Sequence, residues 1–277
     1  MTAAVVPRGD GAITSFLISV RPPSAKQVQL ARVIGGVLLA AFLVTVAFRH
    51  VQLPRVDAYV PIVNTVICLN DFLTAALLFA QFSVTRRRAL LALASAYLFK
   101  TLILVPHALT FPGAFTPSGL LGAQLQTNAY LFLCQHLVFL LGAVIYTHLG
   151  DQRAVMGEQR SAALPIILSA AVVVVAVVSV TWVVTHYGAH LPPMMADPIY
   201  TTLEYRRIGR VLLILLTLTS VLVFWRRPRS MIDLWLRVAL CAWVFETLLA
   251  AIVEARFSLV FYDRRQDRKS TRLNSSH

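Results

Sequence analysis
The chain has 277 residues, of which 58% are hydrophobic and 13% charged, with a mean hydropathy of +0.72. Soluble domains of this size carry about 25% charged residues. The apolar residues gather in seven blocks of roughly 18–25 residues, the length that crosses a bilayer. Together these observations exclude a soluble globular enzyme, a disordered chain and a secreted disulfide scaffold. The formal charge is +13, but the basic residues lie in short clusters between apolar blocks. There they orient a membrane protein and do not form a nucleic-acid surface.

In chain order, the N-terminal 28 residues are polar and proline-bearing, show no signal peptide and are expected to be cytoplasmic. A membrane-embedded unit over 29–266 follows, with predicted spans at 30–48, 58–84, 89–107, 124–149, 162–186, 208–225 and 231–255. Each span must be helical, because backbone facing lipid has to satisfy its own hydrogen bonds. The run Ala170–Val178 does not alternate, which argues against barrel strands. The fold expected is an all-α, polytopic membrane helix bundle. Residues 267–277 read, codon by codon, as translated sequencing adapter and are set aside as an expected artefact.

With the N-terminus inside, eleven Lys and Arg residues fall on the inner side, among them Arg86, Arg87 and Arg88, and seven on the outer side. That asymmetry favours a cytoplasmic N-terminus. Seven spans would then leave residue 266 outside, so an eighth span, lost by truncation, is expected to lead back to a cytoplasmic domain. The segment Pro106–Pro117 carries three prolines and a glycine but no charge. It is expected to break the helix and lie at the interface or fold back on the bundle.

Ionisable residues inside spans are costly and usually face protein. Four of them fall at similar depth: Asp71, Lys100, His136 and Glu246. The second and third spans turn near Arg87, which puts Asp71 and Lys100 within about 4–5 Å of each other in depth. A buried Asp71–Lys100 ion pair is therefore predicted, with His136 and Glu246 nearby. Asn64 shares the helix face of Asp71, seven residues away, and Asn70 is a further candidate. Two readings stay open: polar groups that lock packing, or a ligand or proton site. His50, His107, His186 and His190 lie near the outer face and form a second candidate, a pH or metal sensor, although their spacing fits no metal motif. The i,i+4 relation of His186 and His190 helps only if that stretch is helical. Asp233 and Arg237 read as a local helix pair. Cys68, Cys134 and Cys241 lie in apolar blocks without a CxxC pair. No cofactor is evident, and there is no phosphate loop, nucleophile elbow or HExxH, so this chain alone is not expected to be an enzyme.

Several segments resemble a known family. They are Asn70–Ala75 with Gln81-Phe82, Tyr97–Phe99 followed by Pro106–Gly113, Gly119–Gly122 with Gln126-Thr127, Asp233–Leu236, Cys241–Trp243 and Phe257–Tyr262. They are similar to the fourth class of membrane-associated sensor (MASE) domains of bacterial signalling proteins. The resemblance implies an eight-span input module ahead of a GGDEF diguanylate cyclase or a histidine kinase, and it carries over no ligand residues. The expected partners are the lipid bilayer, the missing output domain, a second copy in a homodimer and an unknown stimulus. A transporter or channel and a non-sensing anchor are the competing readings.

Overall fold
The computed structural model describes residues 22–47, 59–116, 118–150, 161–195, 203–225 and 230–252. The described residues are all-helical, with no β-strand among them. Seven helices occupy the seven predicted spans: α1 (Ala25–Ala47), α2 (Tyr59–Thr85), α3 (Arg88–Leu109), α4 (Thr127–Leu149), α5 (Ala163–His186), α6 (Leu203–Trp225) and α7 (Met231–Ile252). Five of them, α1 to α5, are long and apolar enough to cross a membrane. The adapter-like segment and the expected return span lie outside the described residues, as does His50.

The ends of the helices follow local chemistry. α1 starts earlier than its apolar block because Ser24 and Gln27 cap each other: Ser24 N donates to Gln27 Oε1 at 2.8 Å and Gln27 N to Ser24 Oγ at 3.4 Å. α7 starts on a similar reciprocal pair. Ser230 N donates to Asp233 Oδ2 at 3.0 Å and Asp233 N to Ser230 Oγ at 3.2 Å. α3 runs through Pro106 to Leu109, farther than the sequence predicts. A proline one turn from a helix end removes one backbone bond, and here its carbonyl still accepts from Thr110 N at 2.9 Å. Beyond it the chain folds back, with Leu120 N donating to Leu109 O at 2.8 Å. Gly119 makes that return at φ +84°, where an added Cβ would strike the Thr110 carbonyl.

α3 is the central helix. In its apolar window 61% of residues are buried, against 6% for α1. α3 packs on α2, α4 and α5; α7 packs on α6 and α1; α4 joins the two groups through α6. The α2 face on α3 is a repeat with alternating steps of four and three: Asn64, Cys68, Asp71, Ala75, Leu78 and Phe82. Its last four members are buried. That 3.5-residue period suits left-handed helix pairing. The α2–α3 connection is only Arg86-Arg87, with Arg86 at φ 55° and its N–H on Phe82 O at 2.8 Å. Such a short link fixes the pair as antiparallel neighbours.

The α3–α4 crossing is close because it is made of small residues. A Cβ on Gly142 would overlap Ala96 Cβ. Gly142→Leu is expected to force the helices apart and destabilise the bundle by about 1–3 kcal/mol, as overpacking does. The thermal unfolding midpoint in detergent tests this: it should fall, and Gly142→Ala should cost less when combined with Ala96→Gly.

Candidate functional site: a charged junction of four helices
Lys100 Nζ lies 2.9 Å from Asp71 Oδ2. The predicted pair is formed, and both residues are only 7% exposed. α2 supplies the acid and α3 the base, at positions that the Arg86-Arg87 turn holds opposite each other. In hydrocarbon an unpaired charge is very costly, so each ion requires the other.

α4 and α7 close the junction with aromatic rings. Lys100 Nζ stands 4.8 Å from the centroid of Trp243 and 5.6 Å from that of Phe139. The ring quadrupoles add attraction for the ammonium. Phe139 and Trp243 are 4.6 Å apart, and Tyr97 meets Phe139 edge-on at 5.0 Å. His136 lies between Phe132, at 4.1 Å, and Trp243, at 4.3 Å. It is 1% exposed. Its Nδ1–H donates to Phe132 O at 2.9 Å, and Nε2 is buried with no hydrogen-bond partner. A neutral ring that donates at Nδ1 carries a lone pair at Nε2. Glu246 stands on the exposed side of α7.

One level farther along α3, Asn64 Nδ2 donates to His107 Nδ1 at 3.2 Å. The His107 carbonyl accepts from Asn128 Nδ2 at 2.9 Å, and the His107 ring faces Phe132 at 6.4 Å. Contacts thus run without a break from Asn64 and His107 through Phe132 and His136 to Trp243, Lys100 and Asp71.

The structure therefore brings Asn64, Asp71, Lys100, His107 and His136 together, with Glu246 at the rim. Asn70 does not join them. It is exposed and its side chain donates to its own helix, to Val66 O at 3.0 Å. Adjacent helical residues diverge by 100°, so Asn70 and Asp71 cannot both face α3.

Among the described residues, His107, His186 and His190 form no set. His107 is buried at 8% exposure. His186 ends α5 with Nδ1 on Trp182 O at 3.0 Å. His190 follows in a separate 3₁₀ turn, Gly188–His190, so the two do not share an α-helical face. Among the described residues no three His, Cys, Asp or Glu side chains converge into a metal-holding group. Asp233 and Arg237 also reach beyond a local pair. Asp233 Oδ1 accepts from Tyr146 Oη at 2.7 Å, and Arg237 Nη2 donates to Val223 O at 3.2 Å, tying α7 to α4 and to the last turn of α6.

Sequence reasoning missed two parts. One is Trp243, the ring over Lys100. The other is Gln126, which clamps the segment after α5. Its Nε2 donates to Met195 O at 2.9 Å, and its Oε1 accepts from Met194 N and Met195 N at 2.7 and 2.8 Å. Thr127 Oγ1 adds a bond to Val184 O at 3.2 Å. In the sequence, Gln126-Thr127 and Trp243 stand only among the segments that resemble the family, with no role attached to either.

This all-helical bundle, with apolar spans around a buried charged junction, defines an integral membrane domain. The profile for the membrane-associated sensor, integral membrane domain, MASE4, matches residues 54–266. The chain belongs to the MASE4 family. Comparison with curated proteins and with solved structures returned no match.

Two outcomes follow from the geometry. Asp71→Leu or Lys100→Met alone strands a buried charge and should cost about 3–5 kcal/mol, while the double variant should recover most of it. Unfolding free energies of the three variants in bicelles check this. Gln126→Ala removes three bonds to one segment, so amide exchange at Met194 and Met195 should speed up by at least about tenfold, measured by hydrogen exchange.

Proposed function
We propose that this chain is the sensory input module of a bacterial signalling protein. It lies in the cytoplasmic membrane with its N-terminus inside and regulates a cytoplasmic output domain encoded beyond residue 266, of the GGDEF diguanylate cyclase type. The family match over 54–266 carries this reading. The arginine-rich α2–α3 turn supports the orientation, and the unbroken line of contacts from His107 to Lys100 supports a sensory use of the core.

The mechanism is a shift in helix packing. A stimulus moves the bundle only if it binds two packings with different affinity. The junction favours such behaviour because an ion pair under aromatic rings has few intermediate arrangements. Moving α7 lifts Trp243 from Lys100 and from His136 together. Regulation then passes inward along the helices, in a protein that acts with a second copy of itself.

Reading the source gene past codon 266 is expected to reach an in-frame cyclase or kinase domain. A frame that closes without one contradicts the proposal. In the full-length protein, replacing spans 30–252 with an unrelated membrane bundle should change the basal cyclic dinucleotide level. An unchanged level would identify the bundle as an anchor, and ion flux in liposomes would identify a transporter.

A further inference from the structure
α7 turns one narrow line of side chains outward. Among its described residues, Trp235 and Glu246 alone are exposed. They are eleven positions apart, which brings them within about 20° of each other around the helix. Ala239 and Ala242, both half-buried, lie between them on the same line. The other directions are taken. Phe245 stacks on Phe42 of α1 at 5.0 Å, Trp243 covers Lys100, and Arg237 reaches Val223 O of α6.

Glu246 is the member of this line that lipid does not explain. It lies fifteen residues beyond the start of α7 at Met231. That is about 22 Å along the axis, inside a hydrocarbon layer of about 30 Å. Within the described residues it has no hydrogen bond or ion pair. A carboxyl group at that depth needs a polar partner, and acyl chains offer none. Arg210 is exposed on α6 and is also fifteen residues from the α6–α7 link. It stands on the far side, however, because α7 meets α6 through Arg237, about 180° around from Glu246.

A second copy of the chain meets the demand by symmetry. A two-fold axis along the bilayer normal preserves depth, so each residue of the line faces its own counterpart. The steps from Trp235 to Ala239, Ala242 and Glu246 are four, three and four, the seam of a parallel left-handed helix pair. The two alanines let the backbones approach closely. Carboxyl groups are self-complementary, since the O–H of one donates to an oxygen of the other. We infer that the Trp235–Glu246 line of α7 is the contact with a second copy of this chain, closed by a hydrogen-bonded pair of Glu246 carboxyl groups. This gives a surface to the second copy named in the function proposed above; as an association it holds whether or not the bundle controls an output.

The test is a cysteine scan of positions 235–249 in bacterial membranes, with Cys68, Cys134 and Cys241 replaced by alanine and copper phenanthroline as oxidant. Disulfide-linked dimers should peak at Trp235, Ala239, Ala242 and Glu246 and be minimal at Leu240 and Val244. In liposomes, energy transfer between labelled chains at increasing lipid dilution gives the dimer dissociation constant. Glu246→Leu should raise it about tenfold. Glu246→Gln, whose amide also donates and accepts, should stay within about threefold of wild type. A chain that is monomeric at every dilution overturns the proposal, as does a cross-linking maximum on another face of α7 or an equal dissociation constant for wild type and Glu246→Leu. Cross-linking of the 277-residue chain that disappears in the full-length protein assigns the line to a later segment of the same chain, and also overturns it. Loss of the dimer leaves the effect of bundle replacement on output intact, whereas an unchanged output on replacement leaves the cross-linking intact.

Discussion
Burying a lysine and an aspartate in a hydrocarbon medium is the constraint on which the rest of this bundle depends. The effective cost of desolvating each ion is several kcal/mol, and attraction between them offsets it only at close range. The 2.9 Å contact between Lys100 and Asp71 meets that condition. It also demands a fixed register between α2 and α3, which the two-residue connection at Arg86-Arg87 and the four-three repeat on α2 supply. The pair therefore sets helix alignment as much as it satisfies charge.

The remaining helices are arranged around that pair. α4 brings Phe139 and His136, and α7 brings Trp243 to within 4.8 Å of the ammonium. Small residues at the α3–α4 crossing, Ala96 and Gly142, let the rings come this close. The peripheral helices differ in kind. α5 and most of α1 turn apolar side chains outward, as lipid-facing helices do, and are held by few core residues. The buried ion pair and the rings around it sit at the centre within an aliphatic core, and the outward faces of the peripheral helices are apolar, which is the distribution a membrane solvent imposes.

Much of this was legible in the sequence. Span length and the shortage of charges fix the helices, and residue counting from a single turn brings Asp71 and Lys100 to one depth. The Asn64 and Asp71 spacing gives the face of α2. What the sequence could not yield involves contacts between distant residues. Trp243 is separated from Lys100 by most of the chain, and no periodicity names which ring will cover which charge. Gln126 reads as an ordinary polar residue at a helix start, because its partners are backbone atoms of Met194 and Met195. Asn70 is a polar residue beside Asp71 that the 100° helical step turns outward, onto Val66 O. His186 and His190 look paired only if the helix continues, and it ends at His186.

The Lys100–Asp71 interaction can be observed directly. Solid-state NMR on the lysine- and aspartate-labelled protein in lipid bilayers would resolve the Lys100 Nζ and Asp71 Cγ signals. The account predicts a through-space cross-peak between them, which Asp71→Leu removes. Two assigned signals without a cross-peak, in protein that is folded in the bilayer, would contradict the charged junction as the organising element of this bundle.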